Sequence, residues 1–128
     1  NTPAIPQLFA LRAQIRQIEA SPGGWAGRFE RHIALRDQVL AWCAARGFGV
    51  LAEDGARSPS VTTVLGGDVD VPALLDGLKD RGFAVGGGYG DLKTTAWRIA
   101  HMGEHTEESV AELLNAIDSV LASAGAPA

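Results

Sequence analysis

Gly86-Gly87-Gly88-Tyr89-Gly90-Asp91-Leu92-Lys93-Thr94-Thr95-Ala96-Trp97-Arg98-Ile99-Ala100-His101-Met102-Gly103 is the stretch from which the fold is read. A glycine cluster leaves one apolar segment, Phe83 to Val85, and after a polar turn the chain enters a second, carrying a single internal cation, Arg98. As a strand, Ala96 to Met102 puts Trp97, Ile99 and His101 on one face and Ala96, Arg98, Ala100 and Met102 on the other. Arg98 then projects between two alanines, which leave space above the sheet for a planar guanidinium and a ligand. An arginine fork matches a carboxylate or phosphate with two parallel hydrogen bonds. The competing readings are an internal ion pair with Asp91 or Glu104, or a side chain that snorkels to the sheet edge. The glycines do not form a nucleotide fingerprint, because Asp91 stands where the third glycine of G-x-G-x-x-G belongs and no helix follows. Leu92 before Lys93 excludes a P-loop, and the glycines otherwise suit a tight turn or a backbone that approaches a ligand or another chain closely.

Outward from this stretch, helical periodicity covers the N-terminal side. Ile5, Leu8, Phe9, Leu11, Ile15 and Ile18 recur at threes and fours, predicting one amphipathic helix from Ile5 to Ala20, begun by Thr2 and the prolines at 3 and 6. Ser21-Pro22-Gly23-Gly24 breaks it. A second helix is predicted from about Gly24 to Ala45, with Trp25, Phe29, Ile33, Leu35, Val39, Leu40, Trp42 and Cys43 as its apolar stripe and Gly47 as its cap. Phe48 to Ala52 and Val61 to Leu65 read as an antiparallel pair of strands around a polar turn. Asp70, Val71 and Pro72 open a third helix to about Arg81, capped by Gly82, and Thr106 with Glu107 and Glu108 opens a last one through Leu121. The tail Gly125-Ala126-Pro127-Ala128 is expected to fray. The order α-α-β-β-α-β-β-α predicts an α+β domain, a small, largely antiparallel sheet covered by helices.

Composition narrows the function. A chain of 128 residues suits a single domain. Its 46% hydrophobic and 20% charged residues are ordinary for a globular protein. A formal charge of -4 with no basic run argues against a nucleic-acid partner, and no apolar run approaches the roughly 20 residues that span a bilayer. The lone Cys43 fits a reducing compartment, pointing to the cytoplasm, and falls on an apolar stripe where core packing outweighs reactivity. His101 and His105 flank Glu104, but Gly103 interrupts any helix that would bring both imidazoles to one metal, so no metal site is expected. No serine lies in a nucleophile elbow and no Cys-His pair is suggested by position. The residues alone describe a binding half without its chemistry.

Three segments carry a family resemblance: Asn1-Thr2-Pro3-Ala4-Ile5-Pro6-Gln7-Leu8-Phe9-Ala10-Leu11-Arg12, Arg57-Ser58-Pro59-Ser60-Val61-Thr62-Thr63-Val64, and Val85 to Gly90 continuing through Trp97-Arg98-Ile99-Ala100-His101-Met102-Gly103. Together the chain resembles the C-terminal small domain of class V, fold-type I pyridoxal-phosphate enzymes, in the branch of alanine-glyoxylate, serine-glyoxylate and serine-pyruvate aminotransferases. The resemblance implies that Arg98 binds the α-carboxylate of the amino acid or oxo acid, and that Gly87, Gly88 and Tyr89 line the substrate mouth. It implies that Thr2 contacts the cofactor phosphate in the partner subunit of a homodimer. Residues 1–23 would be an inter-domain helix and 24–124 the small domain. Neither Lys79 nor Lys93 has the context of the Schiff-base lysine, which with the rest of the pyridoxal phosphate site would lie in an upstream large domain. The whole protein would move an amino group between an alanine- or serine-type amino acid and an oxo acid such as glyoxylate or pyruvate, and this piece alone would be inactive. Two alternatives are a class V lyase such as a cysteine desulfurase, which needs a mobile-loop cysteine, and a free-standing amino-acid-binding or interaction module.

Overall fold

The computed structural model describes residues 4–124. The cofactor contact expected of Thr2 and the fraying expected after Ala124 lie outside the described residues. The element order is α1 (Ile5–Ala20), α2 (Gly24–Ala45), β1 (Gly49–Val50), β2 (Val61–Leu65), α3 (Val71–Asp80), β3 (Gly86–Gly87), a 3-10 turn (Gly90–Leu92), β4 (Ala96–Ala100) and α4 (Glu107–Ser123). This is the predicted α+β order. The chain divides into two compact units between Arg31 and His32, a point inside α2.

In the first unit, α1 has a proline in its opening turn, where an orphan backbone position needs no N–H, and ends where the Ser21 hydroxyl donates to the Ile18 carbonyl at 2.6 Å. Its apolar residues are mostly open to solvent: Ile5, Leu8, Phe9 and Leu11 are all exposed, and Phe9 is 64% exposed. Trp25 and Phe29 at the start of α2 are exposed as well, their rings 6.1 Å apart. The predicted stripe of α2 is therefore two stretches in different environments, with Leu35, Val39, Trp42 and Cys43 buried and Trp25, Phe29 and Ile33 exposed.

The second unit holds the sheet, whose strand order is β1-β2-β4-β3 with every neighbouring pair antiparallel. Strand β4 is thus interior, bonded to β2 from Val61↔Ala100 to Leu65↔Ala96 and to β3 at Gly86↔Arg98 and Gly87↔Trp97. One sheet face buries Thr62, Val64, Trp97 and Ile99 against the second half of α2, α3 and α4. Gly47, at a φ of +71°, ends α2, and the Phe48 N–H returns to the Cys43 carbonyl at 2.9 Å. That turn drops Phe48 between two indoles. Its ring stacks on Trp42 at 5.4 Å and meets Trp97 edge-on at 5.3 Å. The Trp42 indole N–H donates to Asp118 on α4 at 3.1 Å, and the same carboxylate receives the Arg46 guanidinium.

The caps follow their sequence signals. Asp70 accepts from the Ala73 N–H at 3.0 Å at the start of α3, and Thr106 with Ser109 forms a reciprocal capping box at the start of α4. The strands differ from expectation in extent. The ladder holds only Gly49–Val50 of the segment from Phe48 to Ala52, and Gly86–Gly87 rather than Phe83 to Val85. Pairing uses backbone N–H and C=O groups, so glycines can carry it while the apolar residues beside them turn into the core.

Candidate functional site

The face of β4 opposite the core carries Arg98. Ala96 before it is buried, Ala100 after it is exposed, and Arg98 itself is half-buried. Register places Thr63 of β2 on one side of Arg98 and Gly86 of β3 on the other. The side chain crosses β3, and its Nε donates to the Gly87 carbonyl at 2.8 Å. Its Cζ lies 4.3 Å from the centroid of the Tyr89 ring, a cation–π stack. Gly86 makes room for this pose, because a Cβ there would stand 2.9 Å from Arg98 Nη2. Gly88 serves a different purpose: a Cβ there would stand 2.2 Å from the Leu92 carbonyl oxygen, so its bareness closes the chain's own turn.

Among the described residues no ion pair between Arg98 and a carboxylate is found. With Nε occupied by Gly87, the two terminal nitrogens form the free edge of the fork. The structure thus brings together Arg98, Gly87 and Tyr89 of the residues singled out in the sequence, places Gly88 beside them in the turn, and adds Gly86. Gly86 was missed as a partner of Arg98 because only the strand register reveals it. Lys79 and Lys93 are both exposed.

The other face of β4 ends on His101, fully buried. Its Nδ1 lies 3.1 Å from the Pro59 carbonyl, which can only accept, so Nδ1 carries the proton and Nε2 accepts from the Thr62 hydroxyl at 3.0 Å. The imidazole therefore ties the end of β4 to the start of β2. Burial holds its pKa below the ordinary 6.5, with Arg36 and His32 pushing the same way against the Pro59 hydrogen bond. The unfolded chain then binds a proton more readily than the folded one. The stability this provides is complete above pH 6.5 and lost as pH falls from there through the lowered folded value. Urea unfolding at neutral and mildly acidic pH should show that loss, and His101→Asn should flatten it; an unchanged slope would remove His101 as its source.

Cys43 is buried in the core and desolvation pushes its thiol up to about 11, so it is no thiolate at neutral pH and lies on a helix rather than a loop. Among the described residues no group of three His, Cys, Asp or Glu side chains stands together to hold a metal ion. No described helix is long and apolar enough to cross a membrane.

No family model matches the chain. Individual proteins do. The chain is 29% identical over 125 residues to the small subunit of a soluble hydrogenase from Synechococcus sp. (strain PCC 6716), covering 97% of this chain and 32% of that protein. It is 31% identical over 124 residues to the (S)-ureidoglycine–glyoxylate transaminase of Bacillus subtilis (strain 168), covering 94% of this chain and 29% of that one. Among solved structures, the alanine–glyoxylate aminotransferase of Nostoc sp. matches with a TM-score of 0.80 at 30% identity, over 94% of this chain and 32% of that chain. The chain spans about a third of the length of these relatives. On sequence and fold together, it is similar to the C-terminal domain of class V, fold-type I aminotransferases.

Proposed function

We propose that this chain is the carboxylate-binding part of an aminotransferase that moves an amino group between a small amino acid of the alanine or serine type and an oxo acid such as glyoxylate or pyruvate. The observation that carries the reading is Arg98, a half-buried arginine with a free terminal edge and no carboxylate beside it among the described residues. Such a group costs stability to hold without a counter-ion, and a ligand carboxylate supplies one. Glyoxylate is in the names of both the B. subtilis transaminase and the Nostoc aminotransferase, which favours a small oxo acid. The hydrogenase name belongs to a relative that this chain covers to 32%.

Pyridoxal phosphate is the proposed cofactor, and when bound it supplies an electron sink for the amino group's transfer. Its lysine is assigned to an upstream large domain, since Lys79 and Lys93 are both exposed. This chain by itself is then inactive. Residues 1–23 are proposed as the inter-domain helix and 24–124 as the small domain, the exposed apolar side chains of α1 being what a neighbouring domain would cover. A cytoplasmic homodimer, with Thr2 reaching the cofactor phosphate across the dimer and Gly87 and Gly88 lining the substrate mouth, completes the proposal. Buried Cys43 speaks against the desulfurase alternative.

The test uses the whole protein, purified with its chromophore. An amino acid should shift the near-ultraviolet and violet absorbance at concentrations where the amine with the same side chain but no carboxylate does not. A colourless protein, or an amine as effective as the amino acid, would overturn the reading.

A further inference from the structure

Arg98 is held by more than its own strand. Its Nε is fixed on the Gly87 carbonyl at 2.8 Å, and one flat face of its guanidinium is covered by the Tyr89 ring at 4.3 Å. Tyr89 is 76% exposed, and it packs into no core that would account for its placement. Its backbone is pinned instead: the Tyr89 carbonyl accepts from the Leu92 N–H at 3.0 Å, and Gly88 behind it is locked into the same turn by the Ala96 carbonyl at 2.8 Å. The ring is thus presented by a tied turn to a cation on an interior strand.

We propose that Tyr89 is a positioning residue that acts through Arg98 rather than on the substrate. The ring and the Gly87 carbonyl preset the guanidinium in one pose before a ligand arrives. An arginine has several rotatable bonds, and a ligand that must freeze them loses affinity in doing so. Here that ordering is completed within the protein. The pose also selects the binding mode. With Nε occupied by Gly87 and one face occupied by Tyr89, a carboxylate meets the fork end-on, through its two terminal nitrogens.

This inference rests on the proposed carboxylate role of Arg98, and the experiment separates the two. In the whole protein, Tyr89→Ala is expected to raise the KM of both amino acid and oxo acid by about 3- to 10-fold, the worth of a partly exposed cation–π contact, with kcat changed by less than about twofold. Tyr89→Phe, which keeps the ring and drops the hydroxyl, should restore most of that loss. In an Arg98→Met background, Tyr89→Ala should change KM by less than about twofold, because nothing is left for the ring to position. A loss that persists in that background, or Tyr89→Phe behaving like Tyr89→Ala, would mean direct contact with substrate and would overturn the inference. So would an unchanged KM in Tyr89→Ala alone when Arg98→Met raises it. An unchanged KM in Arg98→Met itself would instead sink the carboxylate reading. The ring is largely exposed, so the variants should keep wild-type melting temperature and cofactor absorbance.

Discussion

Arg98→Ala in the whole protein is expected to weaken binding of the amino acid and the oxo acid by about 2–4 kcal/mol, roughly 30- to 1,000-fold. The size follows from what is removed. A guanidinium and a carboxylate make a pair of charge-assisted hydrogen bonds, and the alanine at 98 would leave the carboxylate facing Thr63, Ala96 and Ala100, none of them cationic. Arg98→Lys should recover only part of the loss. A lysine has no nitrogen to donate to the Gly87 carbonyl while offering two more to a ligand. Saturation kinetics with both substrates would measure it. Full recovery by lysine would rule out two-pronged recognition, and wild-type saturation by the alanine variant would remove Arg98 from the site.

Trp97→Ala should destabilise the protein by about 3–5 kcal/mol, a large part of the 5–15 kcal/mol that a domain usually has. Trp97 has no solvent exposure, meets Phe48 edge-on, and lies next to Arg98 on the same strand. Removing its indole empties the space between β4 and the helices and takes away one of the two aromatic neighbours of Phe48, leaving it only the stack on Trp42. Trp97→Phe should cost much less, under about 2 kcal/mol. It leaves a ring in place and removes an indole N–H that is buried with no hydrogen-bond partner among the described residues, a group whose burial itself costs about 1–3 kcal/mol. Urea unfolding with free slopes would test both. An alanine variant within about 1 kcal/mol of wild type would mean that the cavity collapses or that Trp97 is not central to the core.

What could be read from the sequence was what short-range chemistry decides. The limits of α1 and the start of α4 follow from Ser21-Pro22 and from Thr106, because a helix end is settled by the few residues that satisfy its orphan backbone groups. The faces of β4 followed from simple alternation, with Trp97 and Ile99 buried and Arg98 only half so. The limits of β3 did not follow, because Gly86 and Gly87 join the sheet by backbone hydrogen bonds that no side-chain pattern announces. The fate of Trp25, Phe29 and Ile33 was equally hidden. A helical stripe says which face of a helix is apolar but not what covers it. At the site, the cation was visible while its supports were not. The Gly87 carbonyl, the Tyr89 ring and the vacancy above Gly86 depend on which residue of β3 lies opposite Arg98, and register is a long-range property.

Arg98 stands on the strand bonded on both sides, with Trp97 and Ile99 of the core as its immediate neighbours. In amide hydrogen exchange the centre of β4 should be among the last parts of this unit to open, whereas the turn from Tyr89 to Lys93 should open early. On the proposed reading, recognition of the common feature of all candidate substrates would thereby be built into the least negotiable part of the fold. Directed evolution aimed at a new amino acid would do well to randomise Asp91 to Lys93 of the turn and leave Tyr89 and the strand untouched, since changes in the strand would be paid in folded protein before they were seen in selectivity.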